Sequence, residues 1–239
     1  LIAGGVVLTA VVDLLRRLKK DDRSPPHQQA EGRLLVSYLT LRRVIGLVGI
    51  GLPVALAVLG FLMFERFHLL HSMSAYYDFR TRDVFVGVLF VLGWFLFAYK
   101  GYDSTDDRAG DWAWLFALGV ALCPSGHAGW QGIAHPWSAT GLFLVLAYFS
   151  FFLFTKSDKE KGQQSARKQR QNLIYKACGV AMLLFIATIG LSYWLLDEST
   201  RNAISLVFWM EALTLWAFGI SWLVKGKAMR RPVALTGGG

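Results

Sequence analysis

Residues 71–100 read HSMSAYYDFRTRDVFVGVLFVLGWFLFAYK. The first half crowds His71, Ser72, Ser74, two tyrosines, Asp78, Arg80, Arg82 and Asp83 together. The second half, residues 84–99, carries no charge at all. A polar knot that turns abruptly into an uncharged apolar run reads as the rim and body of a helix that crosses a bilayer.

The same alternation recurs along the chain. Of its 239 residues, 54% are hydrophobic and 17% charged, whereas a soluble domain carries about a quarter charged residues. Mean hydropathy is +0.42. Runs of roughly 20 apolar residues separated by short polar segments predict an all-α polytopic transmembrane bundle. Six spans are expected, at 44–64, 84–99, 112–123, 137–155, 174–196 and 203–224. This divides the chain into an N-terminal segment and polar linker (1–42), a six-helix membrane domain (43–226) and a tail (227–239). Residues 1–12 (LIAGGVVLTAVV) read as the end of an apolar segment. No charged region precedes them and no small-residue cleavage site follows, so they are not read as a signal peptide. In the linker, Pro25-Pro26 is expected to stop any helix.

The net charge of +9 would suit nucleic acid, but the cations lie between apolar runs and no nucleic-acid module is present. Their distribution sets orientation instead. Segments 1–43, 100–111, 156–176 and 225–239 hold eight, two, seven and four Lys/Arg, 21 of the 25. The opposite face keeps Arg66, Arg80, Arg82 and Arg201. By the positive-inside rule both termini are expected in the cytoplasm. The basic loop 156–171 (KSDKEKGQQSARKQRQ) sets topology and is a candidate contact for anionic lipid headgroups. The two cysteines, Cys123 and Cys178, fall at spans and read as packing residues. Tyr76, Tyr77, Tyr99, Tyr102, Trp112, Trp137, Tyr193 and Trp194 fall near span ends, where interfacial anchoring accounts for them. Gly46, Gly49, Gly51 and Gly60 predict a close helix contact along the first span.

This topology gathers polar groups on the outer face. His68, His71, His127 and His135 fall there, and only His27 does not. His71, Ser74 and Asp78 are spaced to share a stripe if their loop is helical. Arg80 and Arg82 are placed to pair with Asp78 and Asp83, or to grip a phosphate or carboxylate by two parallel hydrogen bonds. Asp83 also suits a helix N-terminus. His135-Pro136 is expected where the fourth span begins, with Ser138 three residues on from His135. A His beside a Ser suits either a general base or a helix-capping role. Glu211 is expected about 12 Å inside the sixth span, where a carboxylate needs a partner or a neutral state. His135, Arg82 or a tyrosine hydroxyl are its expected partners. Ser74, Tyr77, Arg80, Arg82, Asp83, His135, Ser138 and Glu211 are therefore the candidate ligand-binding residues. His135, Asp83 and Glu211 are the candidates for catalysis. The histidine spacings match no metal or haem signature, so no metal or cofactor is expected.

The strings SMSAYYDFRTRDVFVGVLFVLGWFLFAYKGYD (72–103), HPWSATGLFLVLAYFSFFLFTK (135–156) and FWMEALTLWAFGISWLVKG (208–226) resemble a family of uncharacterised bacterial membrane proteins. The resemblance implies six spans in a bacterial inner membrane and brings no activity. A fainter likeness is to the ceramidase-like membrane hydrolases. Ser74 and Asp83 match two positions of that family's zinc site. Asp78 stands where a histidine belongs, and the last span has no histidine. The reading is thus a membrane protein with an outer polar pocket, binding a lipid headgroup or small ligand or acting as a scaffold or sensor. A hydrolase of a lipid amide or ester is the alternative, and a proton-coupled transporter the second.

Overall fold

The computed structural model describes residues 26–63, 69–101, 103–126, 129–156 and 164–228, and all regular structure among them is helical. The long helices are α1 (Pro26–Met63), α2 (Arg82–Ala98), α3 (Ser104–Leu122), α4 (Trp130–Tyr148) and α5 (Ala166–Leu195). A short α6 (Glu198–Ala203) precedes α7 (Leu206–Ala228). A 3₁₀ turn spans Ser74–Asp78, and α4 widens into a π turn over Phe149–Leu153.

Several helices begin earlier than the apolar pattern implies, each for a local reason. The linker reading fails from residue 26 onward, because Pro26 is the first residue of α1. Proline at the first helical position loses no hydrogen bond, since that N–H has no intrahelical partner anyway. Residues 1–25 lie outside the described residues. The acidic stretch before the expected third span is also helical. Asp103 caps α3 by accepting from the Thr105 and Asp106 N–H groups, and Asp106 and Asp107 complement the helix dipole in the first turn. At α4, Gly129 takes a left-handed φ of 96° that suits glycine, and the helix starts at Trp130. His135-Pro136 therefore lies inside α4 and not at its start. Ser205, at φ 47°, separates α6 from α7.

The packing closes a ring. α1 contacts α2 and α7, α2 packs on α3, α3 on α4, α4 on α5, and α5 on α7. Contact between α4 and α7 across the ring is slight. The glycine stripe of α1 works as expected at two positions. A Cβ on Gly46 would come within 2.9 Å of the Gly219 carbonyl, and one on Gly49 within 2.9 Å of Phe218. Gly51 faces open space instead.

Four helical stretches are long and apolar enough to cross a membrane: Leu39–Leu62, Trp130–Leu153, Ala166–Leu195 and Leu206–Gly226. Between 22% and 50% of each is buried by protein. The outward surface is thus largely apolar, with Trp137 and Trp194 74% and 90% exposed. Such a surface is at home in lipid. The molecule is a membrane-embedded all-α bundle. α2 and α3, which hold the expected second and third spans, are shorter or begin with charged residues.

One end of the ring is closed by a cation cluster. Lys156 bonds Asp106 at 2.6 Å and Asp103 at 2.9 Å. The Asp103 carboxyl is held below the usual carboxylate range, chiefly by the Lys156 hydrogen bond. Burial disfavours the Lys156 charge, but its two carboxylate partners outweigh this and raise its pKa. The π turn leaves the Phe154 carbonyl available to Lys168 of α5 (3.1 Å) and Lys225 of α7 (3.2 Å). Arg42 donates to the Tyr99 hydroxyl at 3.2 Å. Tyr99 is 1% exposed, which corrects its reading as an interfacial anchor. It packs edge-on against Phe149 and Trp222.

Candidate functional site

The opposite end of the ring is open. Residues 69–73 form no helix, and they dock on the start of α7. Leu69 accepts from the Ser205 hydroxyl at 3.1 Å, and the His71 carbonyl accepts from the Phe208 N–H at 3.0 Å. The Met73 N–H donates to Glu211 Oε2 at 2.8 Å. The bond from Phe208 satisfies one of the backbone donors that the N-terminus of α7 leaves without an intrahelical partner. The Ser72 hydroxyl then accepts from the Ala75 N–H at 3.2 Å and lies 3.1 Å from the Ser74 hydroxyl, which starts the 3₁₀ turn.

Between this loop, α4, α5 and α7 lies a cavity of about 590 Å³. Its polar side is formed by His71, Ser74, Asp78, His135 and Glu211. Its apolar side is formed by Phe143, Ile186, Ile189 and Val207, with Tyr193 nearby. Behind it lies a small void of about 30 Å³ against Leu89, Leu92 and Leu215, and His135 and Glu211 border both spaces. Two segments distant in sequence therefore meet in one site. The expected stripe His71, Ser74, Asp78 does face one space, although only its second half is helical.

His135 is 6% exposed. Its Nδ1 lies 2.6 Å from the Cys123 carbonyl at the end of α3, and the Val120 carbonyl is also within reach of the ring. A carbonyl only accepts, so Nδ1 carries the proton. This bond ties α4 to the end of α3, and His135, five residues inside α4, does not cap that helix. Pro136 has no N–H, so the Gly132 carbonyl at the cavity wall lacks its usual helical donor.

Other candidates lie elsewhere. Ser138 packs against Gly119 of α3, where a Cβ would collide with its hydroxyl, and it does not line the cavity. The Arg82 guanidinium stacks 4.6 Å from the centre of the Tyr77 ring and not on a carboxylate. Arg80, Arg82 and Asp83 are exposed, outside the cavity lining. Asp83 sits in the first turn of α2, where its charge suits the helix dipole. The three candidates for catalysis are thus not assembled: His135 and Glu211 share the cavity and Asp83 does not. Glu211 has a partner that was not foreseen, the Met73 backbone. Because α7 begins at Leu206, it also stands only about 8 Å from the helix start. Tyr76 is fully buried and no interfacial anchor. Burial raises its hydroxyl pKa. His68 and His127 lie outside the described residues.

Ile186, Ile189, Gly190 and Tyr193 are the lining residues that the sequence hides. They carry no polar signal, and only closure of the ring brings α5 beside the loop. Among the described residues no group of three His, Cys, Asp or Glu side chains is arranged to hold a metal ion. No family model, curated protein or solved structure matches the chain.

Proposed function

We propose that this chain is a six-span inner-membrane protein, both termini cytoplasmic, that binds an amphiphile in the cavity beside His135 and Glu211. The observation that carries the reading is the two-sided lining. Hydrogen-bonding groups from the 71–78 loop, α4 and α7 face aliphatic side chains of α5 and α7 across one space. Pockets for small ligands combine an apolar wall with a few placed polar groups in this way. A ligand with a polar head and a hydrocarbon tail satisfies both halves, and the bilayer supplies such molecules at high concentration. The sequence resemblance and the Lys/Arg asymmetry support the span number and orientation.

The test is mass spectrometry of lipid that copurifies in mild detergent, for the native chain and for Ala139→Trp. Ala139 borders both spaces, so the indole fills them. A specific lipid retained by the native chain and lost from the variant supports the reading. Identical lipid content in both sinks it. Cysteine labelling at positions 125 and 157 tests orientation: reagent from outside should reach 125 only.

A further inference from the structure

The cavity's chemistry is one-sided in a second sense, and this narrows the ligand. Asp78 and Glu211 bring carboxyl groups to it. Glu211 Oε2 is engaged by the Met73 N–H, which leaves its other oxygen to accept. With Nδ1–H of His135 committed to the Cys123 carbonyl, the neutral ring keeps Nε2 as a lone-pair acceptor. Gly132 adds a carbonyl whose helical donor Pro136 has removed. The hydroxyls of Ser72 and Ser74 are partly used on each other. Against these acceptors, no Lys, Arg, Asn, Gln or Trp lines the cavity among the described residues; its other donors are the His71 ring and the rotatable hydroxyls of Ser125, Thr140 and Tyr193, each of which can also accept. Arg82 is held on Tyr77, and Arg201 stacks 4.0 Å from the centre of the Tyr193 ring without lining the space.

A site rich in acceptors and poor in fixed donors leaves its own groups unsatisfied unless the ligand donates. Phosphate or carboxylate heads bring more acceptors and face Asp78 with like charge. We infer that the polar head taken by this cavity is a primary ammonium group, placed between Asp78, His135 and Glu211 with its chain along Ile186, Ile189 and Phe143. Three N–H donors on one cation match three acceptor groups drawn from the 71–78 loop, α4 and α7. The inference rests on the amphiphile reading above and adds the chemistry of the head. It also replaces the expected phosphate grip by Arg80 and Arg82, which stand outside the space.

The experiment measures binding of three single-chain probes, dodecylamine, dodecyltrimethylammonium and dodecyl phosphate, to purified protein in uncharged detergent. Ala139→Trp corrects for uptake by the micelle. Dodecylamine should bind about tenfold more tightly than its trimethylated analogue, which keeps the charge and loses every donor. Dodecyl phosphate should bind more weakly than either. Asp78→Asn and Glu211→Gln should each cut the preference several-fold. Gln can still accept the Met73 N–H, and Asp78 is exposed, so both variants should fold. Equal binding of the two ammonium probes, tighter binding of the phosphate, or a preference unchanged in both variants overturns the inference. Binding that depends on the cavity but shows no preference among heads overturns the inference alone. Binding equal in native protein and Ala139→Trp overturns the amphiphile reading as well. Dioleoyl phosphatidylethanolamine and free ethanolamine separate the sources. Competition by the lipid alone supports a headgroup amine, competition by both supports recognition of the amine itself, and competition by neither overturns the inference.

Discussion

The two ends of this bundle solve opposite problems with the same kinds of residue. At the closed end, Arg42 (2% exposed) and Lys225 (3%) are buried among aromatic rings, and Asp106 (0%) is bonded to Lys156. Charges there are matched by opposite charge, by the Phe154 carbonyl and by ring faces, including Phe154 5.3 Å from the Lys225 nitrogen. At the open end, the carboxyl groups of Asp78 and Glu211 and the imidazoles of His71 and His135 line a cavity. Polar groups that fill one another hold helices together. Polar groups that face a cavity are available to something else. Burial of charge is thus no guide to function by itself. What separates the two ends is whether the neighbours already complete the hydrogen bonding.

Substitutions can break this contrast. The largest effect is expected from Lys156→Met, which removes the cation bonded to both Asp103 and Asp106. It should lower stability by about 2 kcal/mol, between the values for exposed and buried pairs, as read by denaturant titration in detergent micelles. His135→Ala should cost about 1 kcal/mol through the Cys123 carbonyl it leaves without its donor, and should loosen ligand binding far more than Lys156→Met does. Equal binding defects in the two variants would erase the distinction between the ends. Glu211→Gln should change stability by less than about 0.5 kcal/mol, since the Met73 bond survives.

Acid sharpens the comparison. The folded state holds the Asp103 carboxyl below its ordinary 3.8, with Lys156 the largest cause. Its contribution is therefore complete above that value and is lost as pH falls through the lower folded one. Asp197, at the open end, is also held low, by Ser199 and by the Thr200 N–H and hydroxyl. In Lys156→Met the acid-induced loss of stability should shrink but persist, the remainder coming from Asp197. A variant with an unchanged acid profile would show that the Asp103–Lys156 bond carries none of it.

The apolar runs foretold the helices because lipid exposure demands them, and α7 and the end of α5 lie close to where hydropathy places them. Helix starts were less legible. DSTDD reads as an acidic loop by charge but is a cap and a first turn by hydrogen bonding. Pro25-Pro26 reads as a stop, yet Pro26 begins α1. The site was half legible. Ser74, His135 and Glu211 are polar residues beside apolar runs, and the topology puts them on one face. Arg82 and Asp83 satisfy the same description and were indistinguishable from them, because only the docking of residues 69–73 onto α7 decides which side of the loop looks inward. Tyr193 and its aliphatic neighbours look like any lipid-facing surface until α5 closes the ring.

The π turn at Phe149–Leu153 is a register device. One residue beyond the α-helical number turns everything after it by about 100° relative to α4. Two turn residues follow the π turn before Lys156, which reaches Asp103 and Asp106, while His135 and Phe143 ahead of it line the cavity. Deleting Phe152, which is 55% exposed, would leave hydropathy and length nearly unchanged. Lys156 should then swing away from its carboxylates, and the protein should be destabilised about as much as by Lys156→Met, with the cavity wall intact.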